Sequence, residues 1–209
     1  MDTFIWGPPM WKILHTVAFS DIDQIRSNKA HIIDFLGCLH EVLPCVYCRE
    51  SFKIFMTQMP DVGETIDNGT LDRWMYDMHS RVNQKLGVND PEYERVKKRY
   101  TIRPLQWCPG DVWDLIALFG INYTPERQSH YRVWWENLIP LLNMSGAHRV
   151  AQLMKSVECP CTNGKFVATS LVLANAYNNM GTPSNDDIVR RVGKYNLARA
   201  KACKAGTCK

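Results

Sequence analysis

The chain has 209 residues, 45% of them hydrophobic and 22% charged, an ordinary composition for one or two globular domains with a proper core. Its formal net charge of +4 comes from scattered residues, and the densest basic run, Arg95-Val96-Lys97-Lys98-Arg99, reads as a solvated helix face that matches no nucleic-acid-reading motif. No apolar run approaches the roughly 18 residues of a membrane span, and an N-terminus with Asp2 and no basic stretch ahead of an apolar one does not read as a secretory or transit signal.

Helix signals dominate and strand signals are weak. Residues 9–19 read as a helix with Trp11, His15 and Ala18 on one face at i, i+4, i+7. Ser27 is placed to cap a second helix through Leu43, along which Ile32, Ile33, Phe35, Leu36, Leu39 and Leu43 keep a helical period until Pro44 interrupts it. A third helix is expected from Cys45, carrying Phe52, Phe55 and Met56. Residues 59–69, with Pro60, Gly63 and Gly69, read as a loop. Thr70 or Asp72 can cap a fourth helix that runs to Leu86 and stops at Gly87, and a short helix over 91–100 closes the first half. Residues 101–109 hold two prolines and read as a hinge. Helices are expected beyond it at 111–119, 129–142, 147–157, 166–180 and 186–201, followed by a polar tail over 201–209. The order Trp113-Asp-Leu-Ile-Ala-Leu-Phe, then Tyr131-Arg-Val-Trp-Trp-Glu-Asn-Leu-Ile-Pro-Leu-Leu, echoes the first two helices without their His and without a CxxC. A degenerate repeat and two unrelated amphipathic helices both account for it.

The chemistry is concentrated at Pro44-Cys45-Val46-Tyr47-Cys48. A CxxC at a helix start gains from backbone N–H groups and the helix dipole, which favour the reactive thiolate, and Arg49 adds a nearby positive charge. Alone, the pattern is divided among redox chemistry, zinc binding and chance. The flanking helices narrow it. His79, Val82, Asn83 and Leu86 share one face, Trp11 and His15 share another, and inward-facing His and Asn side chains need polar partners of the kind a flat heterocycle supplies.

The pieces Trp6-Gly7-x-x-x-Trp11-x-x-Leu14-His15, then Leu43-Pro44-Cys45-x-x-Cys48, then Trp74-x-x-x-x-His79-x-x-Val82-Asn83-x-x-Leu86 resemble, in order and separation, the Erv/ALR family of FAD-dependent sulfhydryl oxidases. The resemblance covers about residues 4–100, and its compact spacing and Trp-Gly-Pro start are most similar to members encoded by large DNA viruses. It implies an all-α fold: a four-helix bundle with a short fifth helix over 1–100 that holds FAD, usually as a dimer. It leaves 101–200 as a second, mostly helical domain. By position, Cys45 and Cys48 are the catalytic pair, with Cys48 inward against the flavin and Cys45 outward to exchange with incoming thiols. Gly7, Trp11, His15, Phe19, Cys48, His79, Val82, Asn83 and Lys85 line the FAD site. The implied reaction converts a dithiol in a protein substrate and dioxygen into a disulfide and hydrogen peroxide. Ser80 departs from the family, which commonly has Asn there, and offers fewer hydrogen bonds to the cofactor. The expected partners are thiol-bearing proteins and dioxygen, with a homodimer or an intramolecular pseudo-dimer as the assembly and no nucleic acid or membrane span.

Six of the eight cysteines form close pairs, Cys45/Cys48, Cys159/Cys161 and Cys203/Cys208, which in a chain without a signal peptide suggests redox work or metal binding. Related oxidases use a shuttle disulfide on a mobile tail, a role Cys203/Cys208 could take; a disulfide pinning the tail is the plainer reading. Cys159-Pro-Cys161 is open between a second relay, pairing with Cys108 and free thiols, and Cys38 reads as a buried thiol. A zinc-binding module using Cys45, Cys48, His15 or His79 is the alternative of another class, but structural zinc sites usually pair two close CxxC-like elements. A flavin-free, non-catalytic relative is a further one. A thioredoxin-like setting needs strands around the CxxC, which this chain does not offer. A viral enzyme would act in host cytoplasm or the virion, a cellular one in the mitochondrial intermembrane space.

Overall fold

Helices account for all the regular structure among the described residues, as the all-α expectation requires. The structure is a computed structural model that describes residues 3–102 and 109–181 together with Ser184, Asp186, Arg190 and Gly193. In the first half lie α1 (Thr3–Ala18), α2 (Ile22–Ser27), α3 (Lys29–Val42), α4 (Val46–Gln58), α5 (Val62–Asp67), α6 (Leu71–Leu86) and α7 (Tyr93–Thr101). The long helices α1, α3, α4 and α6, with the short α7, are the expected four-plus-one. In the second half lie α8 (Pro109–Ile121), α9 (Gln128–Met144) after a 3-10 turn, α10 (His148–Lys155) and α11 (Asn163–Tyr177). The hinge residues 103–108, most of the helix expected over 186–201 and the tail with Cys203 and Cys208 lie outside the described residues.

Three local features differ from the sequence reading. Helix α1 begins at Thr3, ahead of its two prolines, Pro8 and Pro9, which sit within it. Ser27 does not cap the second long helix: Asp21 caps a short α2 by accepting from the Asp23 amide, and Ser27 ends that helix with its hydroxyl donating to the Asp23 carbonyl. The stretch read as a loop contains α5, because Asp61 accepts from the Glu64 amide and so nucleates a turn between Pro60 and Gly69. Gly87, by contrast, ends α6 as expected. It adopts a left-handed φ of 67°, and the Val88 amide returns to the Asn83 carbonyl at 2.9 Å.

The buried core runs without a break through both halves. Helix α8 packs on α1 and α11, and α9 packs on α3, α1 and α10. Trp6 meets Phe119 edge-on at 6.1 Å, and Phe119 stacks on Trp134 at 4.8 Å. Two polar ties also cross. His31 Nδ1 lies 2.7 Å from Asn137 Oδ1, and Arg127 donates to the Glu41 carbonyl at 3.0 Å. Within the second half α8 and α11 come so close at Gly120 that a Cβ there would lie 2.0 Å from that of Phe166, so only glycine fits.

Candidate active site

Along α1 and the residue that follows it, positions 7, 11, 15 and 19 fall four apart and make one stripe: Gly7, Trp11, His15 and Phe19. Helix α6 brings His79 against it. The His79 ring stacks on Trp11 with centroids 3.8 Å apart and planes 7° from parallel, and His79 Nδ1 lies 2.7 Å from His15 Nε2. Helix α7 adds Tyr100, stacked on His15 at 5.1 Å and on Phe19 at 5.8 Å. Four residues named from the sequence thus converge, and Tyr100 joins them. Tyr93, Val96 and Tyr100 share one face of α7 at helical spacing, a signal already present in the sequence.

This cluster is held uncharged. His15 is 2% exposed, and burial, with the neighbouring His79 and Arg99, lowers its pKa from 6.5 to about 3. Burial also lowers that of His79 to about 4, against the opposing pull of the Asp90 carboxylate. A hydrogen bond between two neutral imidazoles uses one nitrogen of each, and His15 Nδ1 remains buried with no partner. At the head of the same stripe Gly7 is buried, yet a Cβ there would meet nothing within 4 Å. A flat aromatic and imidazole surface, an unsatisfied buried nitrogen and open space beside a buried glycine together fit a planar, hydrogen-bonding heterocycle.

Asn83, one turn beyond His79 on α6, donates its Nδ2 to Asp90 Oδ1 at 2.8 Å, and the Ser80 hydroxyl donates to Asp90 Oδ2. Ser80 therefore serves Asp90, where the sequence reading weighed it only as a poorer ligand contact. Asp90 was not foreseen, since an acid just before a proline reads as a turn residue. Val82 is half-buried and falls, by its place in the helical turn, between the His79/Asn83 face and the face that meets α4. On that last face Arg81 donates to Gln58 Oε1 at 3.0 Å, while Lys85 reaches the Tyr47 carbonyl and the Ser51 hydroxyl, which places its ammonium at the first turn of α4.

The cysteine pair occupies that first turn. Cys45 is the N-cap of α4 with extended backbone, and its carbonyl accepts from the amides of Cys48 and Arg49 at 3.1 and 3.0 Å. Both cysteines are free thiols, as are Cys38, Cys159 and Cys161. A hydrogen bond from the Cys48 thiol, aided by the amides of Cys48 and Tyr47, pulls the Cys45 pKa well below the thiol range against the cost of burial. The same bond and burial push that of Cys48 up, so the pair carries its negative charge on Cys45. Cys48 lies toward Lys85, whose charge opposes that rise.

Exposure within the pair runs against expectation. Cys45, read as the outward thiol, is 3% exposed, whereas Cys48, read as inward, is half-buried. The junction with the second half lies nearby. Arg49 donates to the Leu43 carbonyl at 2.7 Å and lies within charge range of Cys45, Glu41, Arg127 and Tyr131, so residues of both halves gather on the Cys45 side. The turn between the cysteines stays open, with Val46 48% and Tyr47 43% exposed.

Cys38 is buried and donates to the Phe35 carbonyl, and burial pushes its pKa up to about 12. Cys159 Sγ lies 3.5 Å from the Tyr131 carbonyl, and burial likewise raises it to about 12, while Cys161 is exposed beside the Lys165 ammonium. Among the described residues no three His, Cys, Asp or Glu side chains gather as a metal site would require.

Residues 8–101 match the model of the Erv1 / Alr family. The mitochondrial FAD-linked sulfhydryl oxidase ERV1 of Saccharomyces cerevisiae is similar to the chain, 31% identical over 81 residues that make up 38% of this chain and 42% of the yeast protein. The chain thus aligns with less than half of that relative's length. No solved structure matches it. Both matches support the family resemblance of the first half. Among the described residues no helix is long and apolar enough to cross a membrane.

Proposed function

We propose that the chain is an FAD-linked thiol oxidase that makes disulfide bonds in protein substrates through Cys45 and Cys48. The observation that carries the reading is the pairing of a charge-polarised CxxC at the start of α4 with the neutral Trp11–His79–His15–Tyr100 cluster. Gly7, Trp11, His15, Phe19, Cys48, His79, Val82, Asn83 and Lys85 are the residues proposed to hold FAD. When bound, FAD supplies a two-electron acceptor for the dithiol and returns the electrons to dioxygen as hydrogen peroxide.

The protein's own part begins with the pair oxidised. A substrate thiolate attacks Cys45 Sγ, the Cys45–Cys48 bond breaks, and Cys48 takes the electron pair. The second substrate thiol then attacks the mixed disulfide, leaves oxidised, and returns Cys45 to the thiolate. Its surroundings suit that step, because the Cys48 S–H and two backbone amides hold charge on Cys45. Approach is along the exposed Val46–Tyr47 turn that separates the two cysteines. The neutral His15 and His79 present hydrogen bonds without charge to a flat ring, and Tyr100 closes one side of the cluster against water.

The second half is proposed to stand where another copy would pack. The echo helices meet the helices they echo, α8 on α1 and α9 on α3, as the two sides of an isologous interface would. On this reading residues 101–200 are a degenerate, flavin-free repeat and the chain is a pseudo-dimer. A solution mass near 24.1 kDa agrees with this, and twice that value contradicts it. The viral setting proposed from the compact motif spacing makes virion proteins the substrates, with Cys203/Cys208 as a tail shuttle.

The test of activity is direct. Purified protein should be yellow, with absorbance near about 450 nm, and should consume oxygen when given dithiothreitol. Colourless protein that consumes none would overturn the reading.

A further inference from the structure

Asp90 stands beside Ser80, where the chain departs from the resemblance. It follows Gly87, whose left-handed turn sends the chain back along α6. The returning segment is pinned at both ends. The Val88 amide bonds the Asn83 carbonyl, and the Tyr76 hydroxyl donates to the Pro91 carbonyl at 3.0 Å. Just beyond, the Tyr93 hydroxyl donates to Asp72 Oδ2 at 2.6 Å, and the Arg73 guanidinium covers the Tyr93 ring at 5.1 Å. So held, the half-buried Asp90 carboxylate takes one bond from Ser80 and one from Asn83 and lies close enough to His79 to act on its charge.

A carboxylate only accepts hydrogen bonds. The atom that Asn83 turns toward Asp90 must therefore be its Nδ2, which leaves Oδ1 as the amide atom available on the other side. Ser80 holds the second carboxylate oxygen and fixes the rotation of Asp90. With Asn in place of Ser80, the side chain would be longer and would carry its own donor and acceptor into this region. With Ser there, the shorter hydroxyl leaves room for a carboxylate from the next turn of chain.

We infer that Asp90 is a positioning residue that sorts the Asn83 amide, so that Asn83 offers the FAD site a hydrogen-bond acceptor. The ligand group it meets is then an N–H donor on a flat heterocycle, of which FAD has several. This rests on the FAD reading above. Toward the flavin site Asp90 acts through the Asn83 amide, and its pull on His79 leaves that imidazole neutral, so a neutral side chain with an oxygen in the same place should serve. Asn at position 90 can accept from Asn83 and donate to Ser80, and it preserves the orientation. Ala cannot.

The experiment follows flavin release from full-length holoprotein by the recovery of flavin fluorescence on dilution. Asp90→Ala should release flavin about tenfold faster than wild type, the loss of roughly one oriented hydrogen bond. Asp90→Asn should stay within about twofold, and Asp90→Ala should add no further acceleration in an Asn83→Ala background. Equal acceleration by Asp90→Asn and Asp90→Ala would make Asp90 a charge and overturn the inference. So would an Asp90→Ala effect undiminished in Asn83→Ala, the mark of a purely structural role. Wild-type protein that purifies without flavin would overturn the functional reading itself, and with it this one.

Discussion

Helices α1 and α8 each carry a tryptophan, and what stands four residues later separates the two halves of the molecule. After Trp11 comes His15, buried with one nitrogen paired and the other without a partner. After Trp113 comes Ala117, fully buried among apolar neighbours. Helix α3 leads into Pro44 and the CxxC, while α9 ends at Ser145 and Gly146. The two halves share a core, but only the first places a histidine on the inner face of its first helix. A buried histidine with an unsatisfied nitrogen costs stability unless a ligand completes it. The first half bears that cost at the cluster it shares with α6 and α7, and the second half bears one at His130 Nδ1 on α9, outside its first helix.

The largest break in this comparison comes from the cysteines. Cys48→Ala should lower dithiothreitol oxidation by more than about 10³-fold while the protein remains yellow, because the cluster around His15 is untouched. Oxygen uptake and flavin absorbance on one preparation check both halves of that statement. Residual turnover within tenfold of wild type would place the chemistry elsewhere.

Next in size is the transfer of the histidine. Ala117→His puts in the second half the residue the first half uses, with no space or partner for it. It should destabilise the fold by more than about 2 kcal/mol without raising the flavin content. Gly120→Ala, which sets a Cβ against Phe166, should cost a similar amount. Because one core spans both halves, each variant should lower a single unfolding transition, with flavin lost at the same temperature. Two separate transitions in calorimetry would divide the halves.

The subtlest break is in pH dependence. His15 and His79 have folded pKa values of about 3 and about 4, below the ordinary 6.5, so the unfolded chain binds more protons than the native one as pH falls. Their contribution to stability is complete above the unfolded value and is lost progressively as pH falls from there toward the folded ones. The melting midpoint should drop by about 5 °C or more between about pH 7 and about pH 5, above the range in which ordinary carboxylates titrate. His79→Gln should shrink that drop, and a drop of unchanged size in this variant would remove the histidine pair as its cause.

Much of this was legible in the sequence, for identifiable reasons. The four-residue spacing of Trp11, His15 and Phe19 and the Gly87 stop on α6 are local signals that tertiary structure did not override. Cys45 at the start of α4 follows from Pro44 in the same way. The echo of the first two helices was visible, but its packing on the helices it echoes was not, because pairing between distant helices leaves no local trace. Asp90 was hidden for the same reason: its meaning lies in reaching Ser80 and Asn83 across a turn. Cys45, a thiol that local spacing turns outward, is buried, while its neighbour Arg49 lies within charge range of Arg127 and Tyr131, far along the chain.

The central claim is that one half of this chain holds FAD beside a working CxxC and the other half holds none. Anaerobic titration of the full-length protein with dithiothreitol, with flavin and protein quantified together, tests it most directly. The account predicts one FAD per chain, bleached by the dithiol in wild type and left oxidised in Cys48→Ala. Two flavins per chain, or a flavin that the dithiol bleaches equally well without Cys48, would contradict it.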